Sequence, residues 1–541
     1  MTCCAQDPAS LASDAPASSS PVPRSRAGGS RRRRSESSQT TDDSNGNGTE
    51  PRRSGRRRRV NNVAYEPDSF KEAELLQQAL RASIIAAHST KVNTIDDAPV
   101  FHPTEEEFRD PLAYIDSIRD DVEDEYGICK IVPPASWRPP VMFDDGKVET
   151  FPTRIQPIHR LQEGIGFDYA DRRYTVSEYK RMADDFYRSH FGCEPGTMSS
   201  DTIEDHYWKI VKSGNQDVFV EYGNDVDSTS FGSGFPSRGP YATHPWNLNN
   251  IARLPRSVIG SLKSGISGVT VPWVYFGMLF SSFCWHTEDL WMYSINYNHF
   301  GAPKTWYGAP GCDHRKVEKA MRDQVPGLFK EEPDLAMQLV TQLLPSTLVA
   351  ADVSICHAVQ NAGEFIVTFP RAFHAGFNQG FNCCEAVNFA TDDWLQHGRH
   401  AVEDCRRFGK HPVFPTDKLL LNVIERDAGH CDKEVLQHEL KHLTKTHEDW
   451  RSYWNLRGVE RWIRVPVHAE QDDETAVELC SLCNQWCYLS FMKCSCNPNR
   501  IVCLHHSNDA KGCKCPVPEM SAFYRYDVSD LTALAESLAS R

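Results

Sequence analysis

The chain has 541 residues, 40% of them hydrophobic and 24% charged, with a formal net charge of −14. That length supports two or more buried cores, and the composition is that of a globular protein rather than a fibrous one. No run approaches the ~20 uninterrupted apolar residues of a bilayer span, and no basic stretch leads into an apolar core at the start, so neither a membrane segment nor a secretory leader is expected.

Charge is unevenly placed. Residues 1–60 hold 12 Arg against 6 Asp plus Glu, leaving 47 basic and 67 acidic side chains in the remainder. The tail is rich in Ser, Pro and Gly, nearly without large apolar side chains, and carries the runs Arg31–Arg34 and Arg56–Arg59. It is expected to be disordered and to meet DNA or an import receptor. The acidic remainder would repel a phosphate backbone and attract a cationic peptide. A helix is expected over residues 69–87, where Leu75, Leu76, Ala79, Leu80 and Ile84 recur at helical spacing.

The stretch Pro99–Thr104 predicts an extended entry and an N-cap, and Glu105, Glu106 and Glu107 suit the first turn of a helix through Ile118. Tyr126–Val132 reads as a short strand closed by prolines. From Val218 to Pro310, short runs of Val, Phe, Trp and Tyr alternate with Gly, Pro and Asn turns, which predicts a sandwich or barrel. Further strands are expected at Thr347–Val353, Glu364–Thr368 and Cys384–Phe389, and a helix over Arg315–Gln342 broken at Pro326. Residues 397–462 read as a helical linker, and Asp527–Leu538 as a closing helix.

In Phe283-Cys-Trp-His286-Thr-Glu288, alternate residues of a strand share a face, so His286 and Glu288 project together. His374, in Phe369-Pro-Arg-Ala-Phe-His374, supplies a second imidazole from later in the same β region. Two His and one carboxylate leave three positions open on an octahedral ion, the arrangement of non-haem Fe(II) oxygenases. Asn296 and Lys304 follow the metal pair closely. An inward Lys is unfavourable unless it meets an anion, such as the distal carboxylate of 2-oxoglutarate. A surface position beside the Gly-Ala-Pro turn is the alternative for Lys304.

Nineteen Cys suit an exported disulfide protein or, in a reducing compartment, metal sites. Between Cys480 and Cys515 the spacing pairs Cys480-x-x-Cys483 with Cys503-x-x-His506, and Cys494-x-Cys496 with Cys513-x-Cys515. Two closed tetrahedral Zn(II) sites result, of structural type. Cys487 is left over as a packed thiol, and His505 competes with His506.

These motifs resemble the JmjC-domain histone lysine demethylases, most nearly the JARID-type branch and its plant relatives. Gly277–His286, Tyr293–Tyr297, Gly301–Gly308, Phe369–Phe381, Glu221–Asp225 and Phe231–Pro236 carry the resemblance, which spans most of residues 98–515. It implies a mainly β catalytic core, a cupin-like double-stranded β-helix, with an α-helical linker and a small zinc-binding module. The expected organisation is a basic tail and linker (1–97), a JmjN segment (98–140), a connecting region contributing to the core (141–243), the JmjC domain (244–411), the helical linker (412–479) and the zinc finger with its helix (480–541).

The resemblance further implies that His286, Glu288 and His374 are the catalytic iron ligands. Tyr222 and Lys304 would hold the distal carboxylate of 2-oxoglutarate. Ser294, Asn296, Phe283 and Asn378 would surround the co-substrate, and Tyr275 would lie near the methylated lysine. O₂ is the second co-substrate, and 2-oxoglutarate leaves as succinate. An N-methyl group is hydroxylated and the carbinolamine collapses to formaldehyde, a route open to trimethyl-lysine because it needs no nitrogen lone pair. The implied substrate is tri- and dimethylated lysine 4 of histone H3, in nuclear chromatin, with no membrane partner. A protein hydroxylase or a non-catalytic chromatin-binding protein are the alternatives. Leu290-Trp-Met292 and Asn298-His-Phe300 depart from the family pattern and bear on substrate detail.

Overall fold

The structure, a computed structural model, describes residues 95–143, 148–164, 166–214, 216–331, 341–467, 477–506 and 515–540. The expected disordered tail (1–60) and helix (69–87) lie outside these residues. Among the described residues, no helix is long and apolar enough to cross a membrane.

Eight strands form the central unit: β7 (Trp273–Gly277), β8 (Ser282–His286), β9 (Tyr293–Gly301), β10 (Lys304–Ala309), β11 (Cys356–Gln360), β12 (Phe365–Thr368), β13 (Phe373–Asn378) and β14 (Asn382–Phe389). With few exceptions successive strands enter opposite sheets. One sheet runs β11–β10–β13–β8 and the other β12–β9–β14–β7, with all of these pairs antiparallel. That is the expected double-stranded β-helix.

Flanking segments cover the edges, which would otherwise expose unpaired backbone groups. β1 (Asp96–Asp97) adds to β11, while β2 (Val100–Phe101) and β3 (Ile128–Ile131) extend the other sheet beside β12. The segment at 96–131 thus grips both sheets. At the opposite edge, β6 (Phe219–Asp227), β4 (Phe151–Pro157) and β5 (Asp168–Tyr174) continue outward from β7. Close approach is built in at Gly308, whose added Cβ would sit 2.5 Å from the Ile128 side chain.

The helix expected over 105–118 starts as foreseen, with Thr104 and Glu107 exchanging bonds of 3.3 and 2.8 Å. It then breaks into a 3-10 turn and α1 (Pro111–Ser117), because Pro111 restarts the helix with Asp110 as its own N-cap. Two long helices, α2 (Val176–Phe191) and α3 (Ser200–Ser213), were not anticipated. Their signals were present: a Thr175–Glu178 capping box and the N-cap Ser199. Their apolar faces bury Tyr179, Tyr187 and Tyr207 against Phe151, Phe276 and Phe377 of the sheets. Each such ring contributes ~1.5–3 kcal/mol through burial.

Of the helix expected over 315–342, the part to Glu331 appears as α4 (His314–Gln324) and α5 (Pro326–Glu331), divided before Pro326; 332–340 lie outside the described residues, and 341–342 are not helical. Residues 347–353 are not the expected strand. They lie largely in α6 (Pro345–Ala350), since Pro345 presets the first helical turn and outweighs the β-branched Thr347 and Val349. The linker holds α7 (Trp394–Phe408), α8 (Thr416–Asn422) and α9 (Lys433–Leu456). Helix ends at Leu456 rather than near Trp462. β15 (Arg461–Arg464) instead pairs with β18 (Met520–Tyr524), in a sheet with β16 (Ser490–Cys494) and β17 (Asn497–Val502). The closing helix is α10 (Val528–Ser540).

One buried carboxylate organises the loop Phe231–Pro236. Glu385, on β14, accepts bonds from Ser233 Oγ at 2.7 Å and the Gly234 backbone N–H at 2.8 Å, and pairs with His299 Nε2 at 2.8 Å. A Cβ at Gly234 would meet the His299 ring at 2.4 Å, which explains a glycine there. His299 belongs to one of the departures from the family pattern, and it serves packing. Glu385→Ala strands two buried polar groups, the Gly234 N–H and His299 Nε2, so chemical denaturation should show a loss of about 2 kcal/mol or more, against a smaller loss for Glu385→Gln.

Candidate metal and co-substrate site

The pairing of β13 with β8 sets His374 opposite His286. β8 ends at His286, yet the chain stays extended through Glu288 (φ −63°, ψ 155°), which preserves the alternation that turns both side chains inward. Ligating atoms of His286, Glu288 and His374 all lie within 4.8 Å of one another, with His374 Nε2 at 3.2 Å from Glu288 Oε1. Each imidazole is oriented by a backbone carbonyl: His286 Nδ1 on Cys284 at 2.7 Å, His374 Nδ1 on Ala372 at 3.2 Å. Both Nε2 atoms are thereby left to the centre.

Electrostatics agree with this donor set. Burial opposes charge on Glu288, but His374 and then His286 pull its carboxyl down to about 2. Burial, then the neighbouring His374, lowers His286 to about 4. A carboxylate and a neutral imidazole are the forms a metal requires. Asn388, on β14, donates to Glu288 Oε2 at 3.0 Å and to the Tyr293 carbonyl at 3.0 Å, fixing the carboxylate.

Lys304 opens β10 and is buried, 2% exposed. Its Nζ lies 3.2 Å from the Tyr222 hydroxyl and within 6 Å of the ring centres of Tyr222, Tyr275, Phe283 and Trp306. Burial disfavours this ammonium, while Cys384 and Tyr222 beside it turn the net shift upward. Among the described residues no carboxylate pairs with it, so the surface alternative fails. A buried cation facing phenols and a thiol could hold a small anion.

The remaining expected residues divide. Asn296 lies on β9 and receives Gln360 Nε2 at 3.2 Å, and Gln360 also holds the Trp306 indole at 2.9 Å, so this one amide bridges the sheets. Ser294 shares a 2.7 Å bond with Thr368. Asn378 is fully buried and spends its amide on Ser281, at 2.9 and 3.1 Å, while also reaching Tyr222. It therefore acts through its neighbours. Tyr275 lies tilted against Tyr222, with ring centres 6.2 Å apart, and burial pushes its phenol well up. Gln360, Asn388, Trp306 and Cys384 escaped the sequence reading. Only their cross-strand partners reveal them.

In the cysteine-rich module, Cys480, Cys483, Cys503 and His506 form one cluster, and Cys494, Cys496 and Cys515 a second. Cys503 Sγ lies 3.8 Å from Cys483 Sγ and 3.3 Å from His506 Nδ1. His505 lies outside the cluster, its ring tilted against Trp450 with centres 4.4 Å apart, which decides the choice for His506. Cys487 is a buried thiol outside both clusters. Cys513 lies outside the described residues.

Comparison with known proteins agrees. Residues 273–389 match "JmjC domain, hydroxylase", residues 99–133 the jmjN domain, and residues 480–534 the C5HC2 zinc finger. Lysine-specific demethylase JMJ703 of Oryza sativa subsp. japonica is 38% identical over 519 residues, covering 83% of this chain and 41% of the relative. Lysine-specific demethylase 5B of Gallus gallus is 38% identical over 441 residues, covering 78% of this chain and 28% of the relative. The chain thus spans less than half the length of these relatives. It carries a JmjN segment, a JmjC domain and a C5HC2 zinc finger in one polypeptide.

Proposed function

We propose that this chain is an Fe(II)- and 2-oxoglutarate-dependent histone lysine demethylase that acts in the nucleus on tri- and dimethylated lysine 4 of histone H3. The observation that carries the reading is the buried Lys304, without a carboxylate partner among the described residues, whose ammonium shares the Phe283 and Trp306 rings with His286 and His374 of the metal cluster. The names of the two relatives support lysine demethylation, and the choice of lysine 4 rests on the JARID-type resemblance. The Arg-rich tail supports import and chromatin contact.

His286, Glu288 and His374 would hold the iron, which when bound supplies the oxidising chemistry toward a C–H bond. Lys304 and the Tyr222 hydroxyl bind the distal carboxylate of 2-oxoglutarate. Asn296 and Ser294 line its flank, and Phe283 walls it. Asn378 positions Tyr222, and Asn388 keeps the Glu288 carboxylate turned inward. Tyr275 borders the place where the methylammonium enters, and the acidic body draws the cationic histone tail toward it. The two cysteine clusters, the second completed by Cys513, would each hold a structural Zn(II).

Mass spectrometry on a panel of methylated histone peptides tests the reading. The wild type should remove methyl groups from lysine 4 peptides and release formaldehyde, while His286→Ala falls to background. Turnover of lysine 9 or 36 peptides alone refutes the site choice. Hydroxylated product without formaldehyde makes the chain a protein hydroxylase, and succinate at background with every peptide makes it a non-catalytic chromatin protein.

Lys304→Met separates binding from folding. Losing the ion pair should raise KM for 2-oxoglutarate roughly 100-fold, equivalent to ~2.7 kcal/mol. Removing a buried charge should meanwhile leave thermal stability equal or higher. A third check concerns zinc: Cys480→Ser should release about one metal equivalent per chain and melt the module, read by metal analysis and by proteolysis within residues 477–540.

A further inference from the structure

The turn that follows the metal pair is strained and held from outside. Leu290 and Trp291 take φ angles of 50° and 53°, a backbone conformation unfavourable for large side chains, and both are buried. Glu288 begins this turn: its carbonyl accepts the Trp291 amide at 2.9 Å, and the Asp289 carbonyl accepts the Met292 amide at 3.1 Å. Strain of this kind persists only where the surroundings impose it. The linker supplies two ties. Trp394, at the start of α7, donates to the Leu290 carbonyl at 2.9 Å, and Lys410 Nζ, just past the end of α7, lies 3.5 Å from the Asp289 carboxylate.

Lys410 is fixed in turn by the cysteine-rich module. Three consecutive residues after the Cys480-x-x-Cys483 pair each donate to a backbone carbonyl of the segment 409–412. Asn484 Nδ2 reaches Gly409 at 2.8 Å, Gln485 Nε2 reaches Lys410 at 2.9 Å, and Trp486 Nε1 reaches Pro412 at 2.8 Å. The same stretch is bonded back to the first cysteine cluster: the Asn484 N–H to the Cys480 carbonyl at 2.9 Å, and the Cys480 N–H to the Gln485 carbonyl at 2.8 Å. The grip on the linker and the metal-ligating loop are therefore one piece of backbone.

We propose that Lys410 is a positioning residue for the metal centre: set by the Asn484–Trp486 grip, it holds the turn at Asp289–Trp291 and, through that turn, the Glu288 ligand. This rests on the reading of His286, Glu288 and His374 as metal ligands, and it ties that centre to the first cysteine cluster. Charge alone works in the opposite direction. Lys410 acts on His286 as a repelling cation, so losing its charge should tighten the binding of a metal ion. Weaker binding is therefore the signature of positioning.

The probe is Mn(II), an ion suited to oxygen donors rather than to thiolates. It is titrated into the zinc-loaded full chain, and the free ion is followed by electron paramagnetic resonance. Lys410→Met should weaken Mn(II) binding roughly two- to fivefold, the worth of a half-exposed ion pair. It should also speed hydrogen exchange at the Trp291 and Met292 amides, and Lys410→Arg should restore both properties. Gln485→Met keeps the bulk and removes the donor to the Lys410 carbonyl. It should reproduce both effects with zinc content unchanged, and combining it with Lys410→Met should weaken binding no further. Should Gln485→Met shed its zinc, Asn484→Gly takes its place, since it keeps the left-handed backbone (φ 55°) and removes the Gly409 contact. Unchanged or tighter Mn(II) binding by Lys410→Met, no rescue by arginine, or additive effects in the double variant overturn the proposal. Mn(II) binding that is absent from the wild type, or equal in His286→Ala, overturns the metal reading instead. Hydrogen exchange then still decides whether Lys410 holds the turn.

Discussion

The metal centre depends on the antiparallel pairing of β13 with β8, which sets His374 across from His286. Two imidazoles on neighbouring strands of one sheet leave room for a third donor only from the same face. Glu288, two residues past His286, meets that need with an extended backbone. Gly376 keeps this pairing close: a Cβ there would fall 2.0 Å from the Thr305 carbonyl and 2.5 Å from the Phe283 ring. The sheet cannot hold the ligands at this spacing with a larger residue at that position.

The second constraint is the ammonium of Lys304, buried without a carboxylate partner among the described residues. A buried unpaired cation costs several kcal/mol, and tyrosine hydroxyl and ring contacts offset only part of that. The β-helix tolerates the cost because its two sheets are joined around the group. Gln360 ties Trp306 of one sheet to Asn296 of the other, and Asn378 ties β13 to the loop before β8. The surroundings of Lys304 are thus held in place by the sheets themselves.

The flanking segments are less independent than their order in the chain suggests. Residues 96–131 add strands to both sheets, α2 and α3 bury their tyrosines against the core, and β15 crosses from the linker into the module's sheet. Trp394 of α7 bonds the Leu290 carbonyl at 2.9 Å, two residues beyond Glu288. The departures Leu290-Trp-Met292 and Asn298-His-Phe300 fall on such joints. Leu290 and Trp291 take positive φ angles of 50° and 53° in the turn after the metal pair, with Arg371 over the Trp291 ring, and His299 meets Glu385.

Local chemistry was legible in the sequence wherever a short motif carried its own geometry. His286 and Glu288 share a face by strand alternation, Cys480-x-x-Cys483 and Cys503-x-x-His506 can each present two ligands from one turn, and a lysine set among aromatic residues called for an anion. Those rules act over two to four residues, so one stretch of chain suffices. Cross-strand partners were not legible, because Asn388 and Glu288, or Gln360 and Asn296, are joined only by register. Thr347–Val353 differs from expectation for a local reason: β-branched composition is a weak preference, and a proline at the first helical turn overrode it. The residue types of the site were therefore determined by the sequence alone, and their meeting around one centre was decided by the closure of two sheets, which brings together side chains up to about 150 positions apart, such as Tyr222 and Asn378.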